Sequence, residues 1–301
     1  MGHRDHSEEN FNQYFANFAD LTADDPLIAI HERYGLPDKP TERLWETFYD
    51  RFDDDGSGEW LPLIHGENGL DKTNGFESQA DILISTRAAS DVLRATNMDR
   101  PEDFETNPVY GKVYLVCTNN TNRAVEDKPG TDAANPRPKN STGHIIEITE
   151  DGDDHASVKF NWDIFVLAGD STDESTYFAG FPKERVSPIA STDNVTFDTA
   201  GNLISTDELP NTLEGRNDGL FDVPVDGSDR GYLRQFFSAV TGSEVSGLAF
   251  NPDSTSLWAS IQHPGEGGSF ETPVTLWPDG KGVARPTVVL ITKDDGGTIG
   301  G

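Results

Sequence analysis

The 301-residue chain carries 53 Asp and Glu against 23 Lys and Arg, a formal net charge of −30. Such a surface repels nucleic acid and anionic membranes, and it excludes both as partners. A single cysteine, Cys117, leaves no intrachain disulfide, and 29 Gly and 18 Pro favour turns over long helices.

Along the chain, residues 8–50 place Phe11, Tyr14, Phe15 and Phe18 at helical spacing, which predicts a short amphipathic helix. Phe52-Asp-Asp-Asp-Gly-Ser-Gly-Glu-Trp60 reads as a turn leading into a strand. Residues 76–95 predict the best helix, with Ala80, Leu83, Ile84, Ala88, Val92 and Leu93 on one face. It should stop before Met98-Asp-Arg-Pro101, because the residue before proline avoids the helical region.

From residue 104 onward the pattern is β. A tight turn feeding an apolar strand recurs at Asn107–Cys117, Phe197–Ile204 and Phe250–Ser260. Between these units, Gly143–Ile148, Phe160–Leu167, Gly219–Val223 and Pro286–Thr292 read as further strands. The repetition points to an all-β chain built from β-propeller blades, partial or six-bladed, with a few helices in its N-terminal part. The irregular spacing leaves a sandwich open. The expected division is an N-terminal helical and loop segment, 1–58, followed by a propeller domain, 59–301. Cys117 ends an apolar run and reads as a buried small hydrophobe. No stretch approaches the ~18 apolar residues of a membrane span, and no apolar region follows Met1-Gly-His-Arg as a signal peptide requires.

Several clusters could carry chemistry. In Arg100-Pro-Glu-Asp103 a guanidinium can grip phosphate oxygens and a carboxylate can hold a hard cation; a surface ion pair explains the same residues. Asp193-Asn194 offers oxygens that suit Ca²⁺, or simply opens a strand as an Asx-turn. Glu244 stands at the equivalent place before the third repeat, so the two would converge on a propeller channel. His263-Pro-Gly-Glu266 and His65-Gly-Glu67 pair an imidazole with a carboxylate, for metal or proton chemistry or for neither. Asn119–Arg123 and Asp132–Pro136 could line a pocket with amides or merely form turns. Asp151-Gly-Asp-Asp154 reads as a hairpin turn, since it lacks the twelfth-position Glu of an EF-hand. Gly-x-Ser-x-Gly, His-Glu-x-x-His, P-loop and Gly-x-Gly-x-x-Gly motifs are all missing.

Taken in order, these motifs resemble the PhoX-type alkaline phosphatases. The matching run includes Trp60-Leu-Pro-Leu-Ile-His-Gly66, Met98-Asp-Arg-Pro-Glu-Asp103, Thr118-Asn-Asn120 and Asp132-Ala-Ala-Asn-Pro136. It continues through Gly143-His-Ile-Ile-Glu147, Trp162-Asp-Ile-Phe165, Asn217-Asp-Gly-Leu-Phe221 and Gln262-His-Pro-Gly-Glu266, covering about residues 59–293. The resemblance implies a six-bladed propeller with Fe³⁺ and Ca²⁺ at the channel mouth. It also implies hydrolysis of small phosphomonoesters in a periplasmic or extracellular place. Carried over by position, Arg100 would bind the phosphate with Asn194 as a further catalytic contact, and Glu102, Glu244 and Glu8 would ligate metal. His6-Ser-Glu-Glu-Asn-Phe11 departs from the family's Thr-Cys-Glu-Glu-Asn-Phe, placing Ser7 where a thiolate binds iron. The family's region before this segment, and a stretch after Phe52 that includes a metal-binding glutamate, have no counterpart. An unclosed propeller is therefore expected. Two alternatives stand beside the enzyme: a catalytically impaired Ca²⁺-binding remnant, and a Ca²⁺-dependent lactone hydrolase. The surplus of acids, far beyond what any ion cluster uses, reads as adaptation to high salt.

Overall fold

The computed structural model describes residues 48–207, 213 and 215–299. The predicted helix around Phe11–Phe18, and the residues His6, Ser7 and Glu8, lie outside the described residues. The chain divides into two compact units, Met1–Arg51 with Glu59–Thr96, and Phe52–Gly58 with Asn97–Gly301.

The described part of the first unit holds most of strands β1 (Phe48–Phe52) and β2 (Ser57–Pro62) and two helices, α1 (Gln79–Ile84) and α2 (Thr86–Leu93). The single helix expected over 76–95 is thus broken. Ser78 caps α1 by accepting the Asp81 N–H, and Ser85, at φ −111° and ψ 41°, leaves the helical region between the two. The break re-phases the apolar face. Ile82 and Ala89 pack with Leu63, Leu70 and Phe76, whereas Ile84 and Ala88, expected inside, are exposed. His65, a candidate for chemistry, is tied into this unit: its backbone N–H donates to Gln79 Oε1 at 2.8 Å, and its Nε2 meets the Phe76 carbonyl at 3.2 Å.

The second unit is built of three antiparallel meanders in chain order. The first is β3 (Pro101–Thr106), β4 (Val113–Cys117), β5 (His144–Glu150) and β6 (Lys159–Leu167), with the short β7 (Tyr177–Phe178) beside β6. The second is β8 (Thr192–Phe197), β9 (Leu203–Asp207), β10 (Gly219–Val223) and β11 (Arg234–Ser238). The third is β12 (Glu244–Phe250), β13 (Ser256–Gln262) and β14 (Thr287–Thr292). In each, the first strand turns tightly into the second. These three hairpins are the recurring unit read from the sequence. Strands that are polar or exposed, β3 and β11, carried no such signal.

The first strands stand side by side, with β8 between β3 and β12. Two side chains stitch them together: Val195 N–H donates to Asp103 Oδ2 at 2.9 Å, and Gly247 N–H to Asn194 Oδ1 at 2.8 Å. Apolar faces fill the spaces between meanders. Tyr114, Val116, Ile145 and Phe165 of the first pack on Val195, Phe197, Phe221 and Val223 of the second. Leu220 of the second packs with Val245, Leu257, Ala259 and Ile261 of the third. Every residue of β4 is buried, Cys117 included, because it is covered on both faces; this explains its unbroken apolar run. Sheets stacked face to face around adjoining first strands are the packing of propeller blades.

Candidate active site

The turn Asn97–Arg100 ends at a strained residue. Arg100 has φ +52°, a region that L side chains rarely adopt, and it precedes Pro101, which further restricts it. The strain is held from both sides. Arg100 N–H donates to the Met98 carbonyl at 3.1 Å, and the Arg100 carbonyl accepts the Thr118 N–H at 3.0 Å. The side chain projects outward, about half exposed. Its Nη2 donates to Glu102 Oε1 at 3.0 Å and its Nη1 to Asn119 Oδ1 at 3.3 Å. The surface ion pair and the outward guanidinium are therefore the same arrangement.

Beneath this turn lies a buried polar network. Asp99, fully buried, accepts from Arg123 Nε at 2.8 Å and from Asn140 Nδ2 at 2.9 Å, and its N–H donates to Asn135 Oδ1 at 3.0 Å. Arg123 also donates to the Gly130 carbonyl at 3.0 Å and to that of Asn97. Asn140 Oδ1 accepts from Arg137 and from Gly143 N–H, so its amide nitrogen must face His144 Nδ1, 3.2 Å away. A donor there obliges His144 to keep Nδ1 unprotonated. Burial drives its pKa down to about 4, against the opposing pull of Asp99. Gly143 closes the network at φ +78°; a Cβ there would meet the Thr118 carbonyl oxygen at 2.3 Å.

Among the sequence-predicted residues, Arg100 immediately precedes β3 and Glu102 lies on it, Asn194 lies on β8, and Glu244 begins β12. Asn194 is oriented by Gly247 N–H. Glu244 Oε2 lies 3.0 Å from His263 Nε2, whose Nδ1 lies 3.3 Å from Glu266 Oε2. Glu8 lies outside the described residues. Among the described residues no three His, Cys, Asp or Glu side chains gather as metal ligands. Glu102 and Glu244, each engaged by a cation or imidazole, fall short of the six to eight oxygens Ca²⁺ takes. The described residues alone do not make a complete metal site. Asn119–Arg123 and Asp132–Pro136 serve mainly inward, through Arg123 and Asn135, with Asn119 alone reaching the guanidinium. Asp99 and His144 were not singled out for chemistry, since each sits in a run that reads only as a turn or a strand.

A second ionic cluster is structural. Glu147 Oε1 accepts from Lys112 Nζ at 2.6 Å, and Oε2 accepts from Tyr114 Oη at 2.6 Å and Arg230 Nη1 at 2.7 Å. Burial pushes its carboxyl up, but the bonds from Arg230, Lys112 and Tyr114 outweigh burial and hold it below the usual range.

Blade-like meanders with an outward arginine and oxygen-bearing side chains at their entering strands define a propeller-type β protein. The alkaline phosphatase PhoX family profile matches residues 47–265. The solved structure of Pseudomonas fluorescens PhoX in complex with vanadate, a transition state analogue, is similar at 38% identity with a TM-score of 0.71. The alignment covers 84% of this chain and 45% of that one, so the chain spans less than half the length of this relative. The chain belongs to the alkaline phosphatase PhoX family. No curated protein matches it. No helix among the described residues is long and apolar enough to cross a membrane.

Proposed function

We propose that the chain is a phosphomonoester hydrolase whose phosphate-binding residue is Arg100. The observation that carries this reading is the strained, outward presentation of Arg100 at the entry of the first meander. Strain of this kind persists where surrounding structure imposes it, and it clusters at ligand-binding sites. The guanidinium offers paired donors that match a phosphoryl group. Its partner Glu102 is one-third exposed and the pair is solvated, worth about 0–1 kcal/mol, so a phosphate dianion displaces it cheaply. Asn194, its amide fixed by Gly247, is assigned to a second contact with substrate. During transfer the arginine would neutralise charge on the equatorial oxygens.

Glu102, Glu244 and Glu8 are assigned as carboxylate ligands for the Ca²⁺ and Fe³⁺ that the resemblance implies. A metal at the channel would polarise the phosphoryl oxygens. Small phosphomonoesters as substrates and a periplasmic or extracellular setting belong to the same proposal. The test is hydrolysis of p-nitrophenyl phosphate by chelator-treated protein, before and after adding Ca²⁺ and Fe³⁺. Turnover restored by the ions supports the reading. No turnover under any of these conditions would favour the impaired, Ca²⁺-binding alternative suggested by Ser7.

A further inference from the structure

Arg100 holds a left-handed backbone. Its guanidinium, half exposed, meets Glu102 and Asn119, and a proline follows, which opposes the conformation. The residues on either side supply the explanation. Asn97 is tied through its carbonyl to Arg123. Asp99 is tied at three points: Oδ1 to Arg123, Oδ2 to Asn140, and its N–H to Asn135. Asp99 and Arg123 are 0% and 1% exposed, so neither can touch a substrate. Two fixed residues before Arg100, and the Thr118 N–H on its own carbonyl, leave the backbone one way to run.

We propose that Asp99 and Arg123 are positioning residues, a buried ion pair that with Asn135 and Asn140 sets the turn presenting the Arg100 guanidinium to an oxyanion. The inference rests on the reading of Arg100 as the phosphate-binding residue. A long arginine placed by an exposed turn alone would sweep a wide volume. Clamping the turn restricts that sweep before the ligand arrives, and a misplacement of about 1 Å can cost 100-fold in a positioned reaction.

Breaking a buried ion pair singly risks unfolding, so the test uses two gentler variants of the full chain. Asn135→Ala removes the acceptor for the Asp99 N–H and leaves the ion pair intact. The double variant Asp99→Ala/Arg123→Met removes both charges together, which avoids an orphaned ion. Vanadate serves as the oxyanion probe, titrated into each variant with Arg100 present and with Arg100→Ala. Positioning predicts that either variant weakens vanadate binding about tenfold or more when Arg100 is present and has no effect when it is absent. An equal loss in both backgrounds, or none in either, overturns the inference.

A separate readout covers a wild type that fails to bind vanadate, an outcome that would sink the phosphate-binding reading itself. The Arg100 Nε–H resonance should then shift and broaden in Asn135→Ala, as the guanidinium leaves Asn119 and Glu102. A resonance unchanged from wild type would overturn the positioning role on its own.

Discussion

His144 gives the fold a dependence on acid that can be worked out from its surroundings. It is fully buried, its Nδ1 faces the Asn140 amide, and burial holds its pKa near 4 against an ordinary value of 6.5. The unfolded chain therefore binds a proton near pH 6.5, while the folded chain resists until about pH 4. Between those values unfolding takes up a proton, so stability falls as pH falls. The full difference is on the order of 3 kcal/mol, at 1.36 kcal/mol per pH unit. Asp222, whose carboxyl burial pushes up, works in the opposite sense, but it is common to wild type and variant and cancels in their comparison. Urea unfolding of wild type and His144→Gln at intervals from pH 7 to 4 measures the effect. Wild type should lose stability steadily below pH 6.5. His144→Gln should start lower, with Asn140 imperfectly paired, and should show a flatter profile over that window. Parallel profiles for the two proteins would refute the reasoning.

Other expectations follow from the same structure. Glu147→Gln should cost about 1.5–3 kcal/mol at pH 7, because it weakens the charged hydrogen bonds from Arg230 and Lys112, both of which keep partial access to water. The wild-type contribution should be complete above the ordinary carboxyl value of 4.5 and be lost progressively as pH falls from there through the depressed folded value, since a depressed carboxyl stabilises only while ionised. Denaturant titrations at pH 7 and across that fall report both effects. Gly143→Ala should destabilise by roughly 3 kcal/mol, measured the same way, because the new methyl meets the Thr118 carbonyl oxygen at a left-handed position. Sodium chloride should raise the melting temperature, because a net charge of −30 repels itself until the Debye length shrinks to about 3 Å near 1 M. Greatest stability in dilute buffer would contradict that reading.

The blades were legible because their hairpins repeat. The turns at Asn107–Lys112, Asp198–Asn202 and Asn251–Ser256 each feed a strand that alternates or runs apolar, and periodicity registers both. β3 escaped because its first residues, Pro101-Glu-Asp, look like a loop, and its side chains are largely exposed. The helix at 76–95 was legible as helical residues but not as two helices, because the kink at Ser85 depends on tertiary packing around Ile82 and Ala89. At the proposed site, the motif Arg100-Pro-Glu-Asp103 is what points to Arg100. The network beneath it was not legible, for it joins Asp99 to residues 24 to 41 positions away, Arg123, Asn135 and Asn140. Amide-rich turns look alike in sequence whether they face solvent or hold a buried carboxylate.

The central claim is that Arg100 binds the transferring phosphoryl group. Steady-state hydrolysis of p-nitrophenyl phosphate by wild type and Arg100→Ala, supplied with Ca²⁺ and Fe³⁺ and with melting temperatures recorded alongside, tests it most directly. Removing one charge-stabilising donor of this kind should lower kcat/KM by about 10²–10³. The melting temperature should barely move, because the lost ion pair is exposed. A wild type whose kcat/KM survives Arg100→Ala would contradict the account.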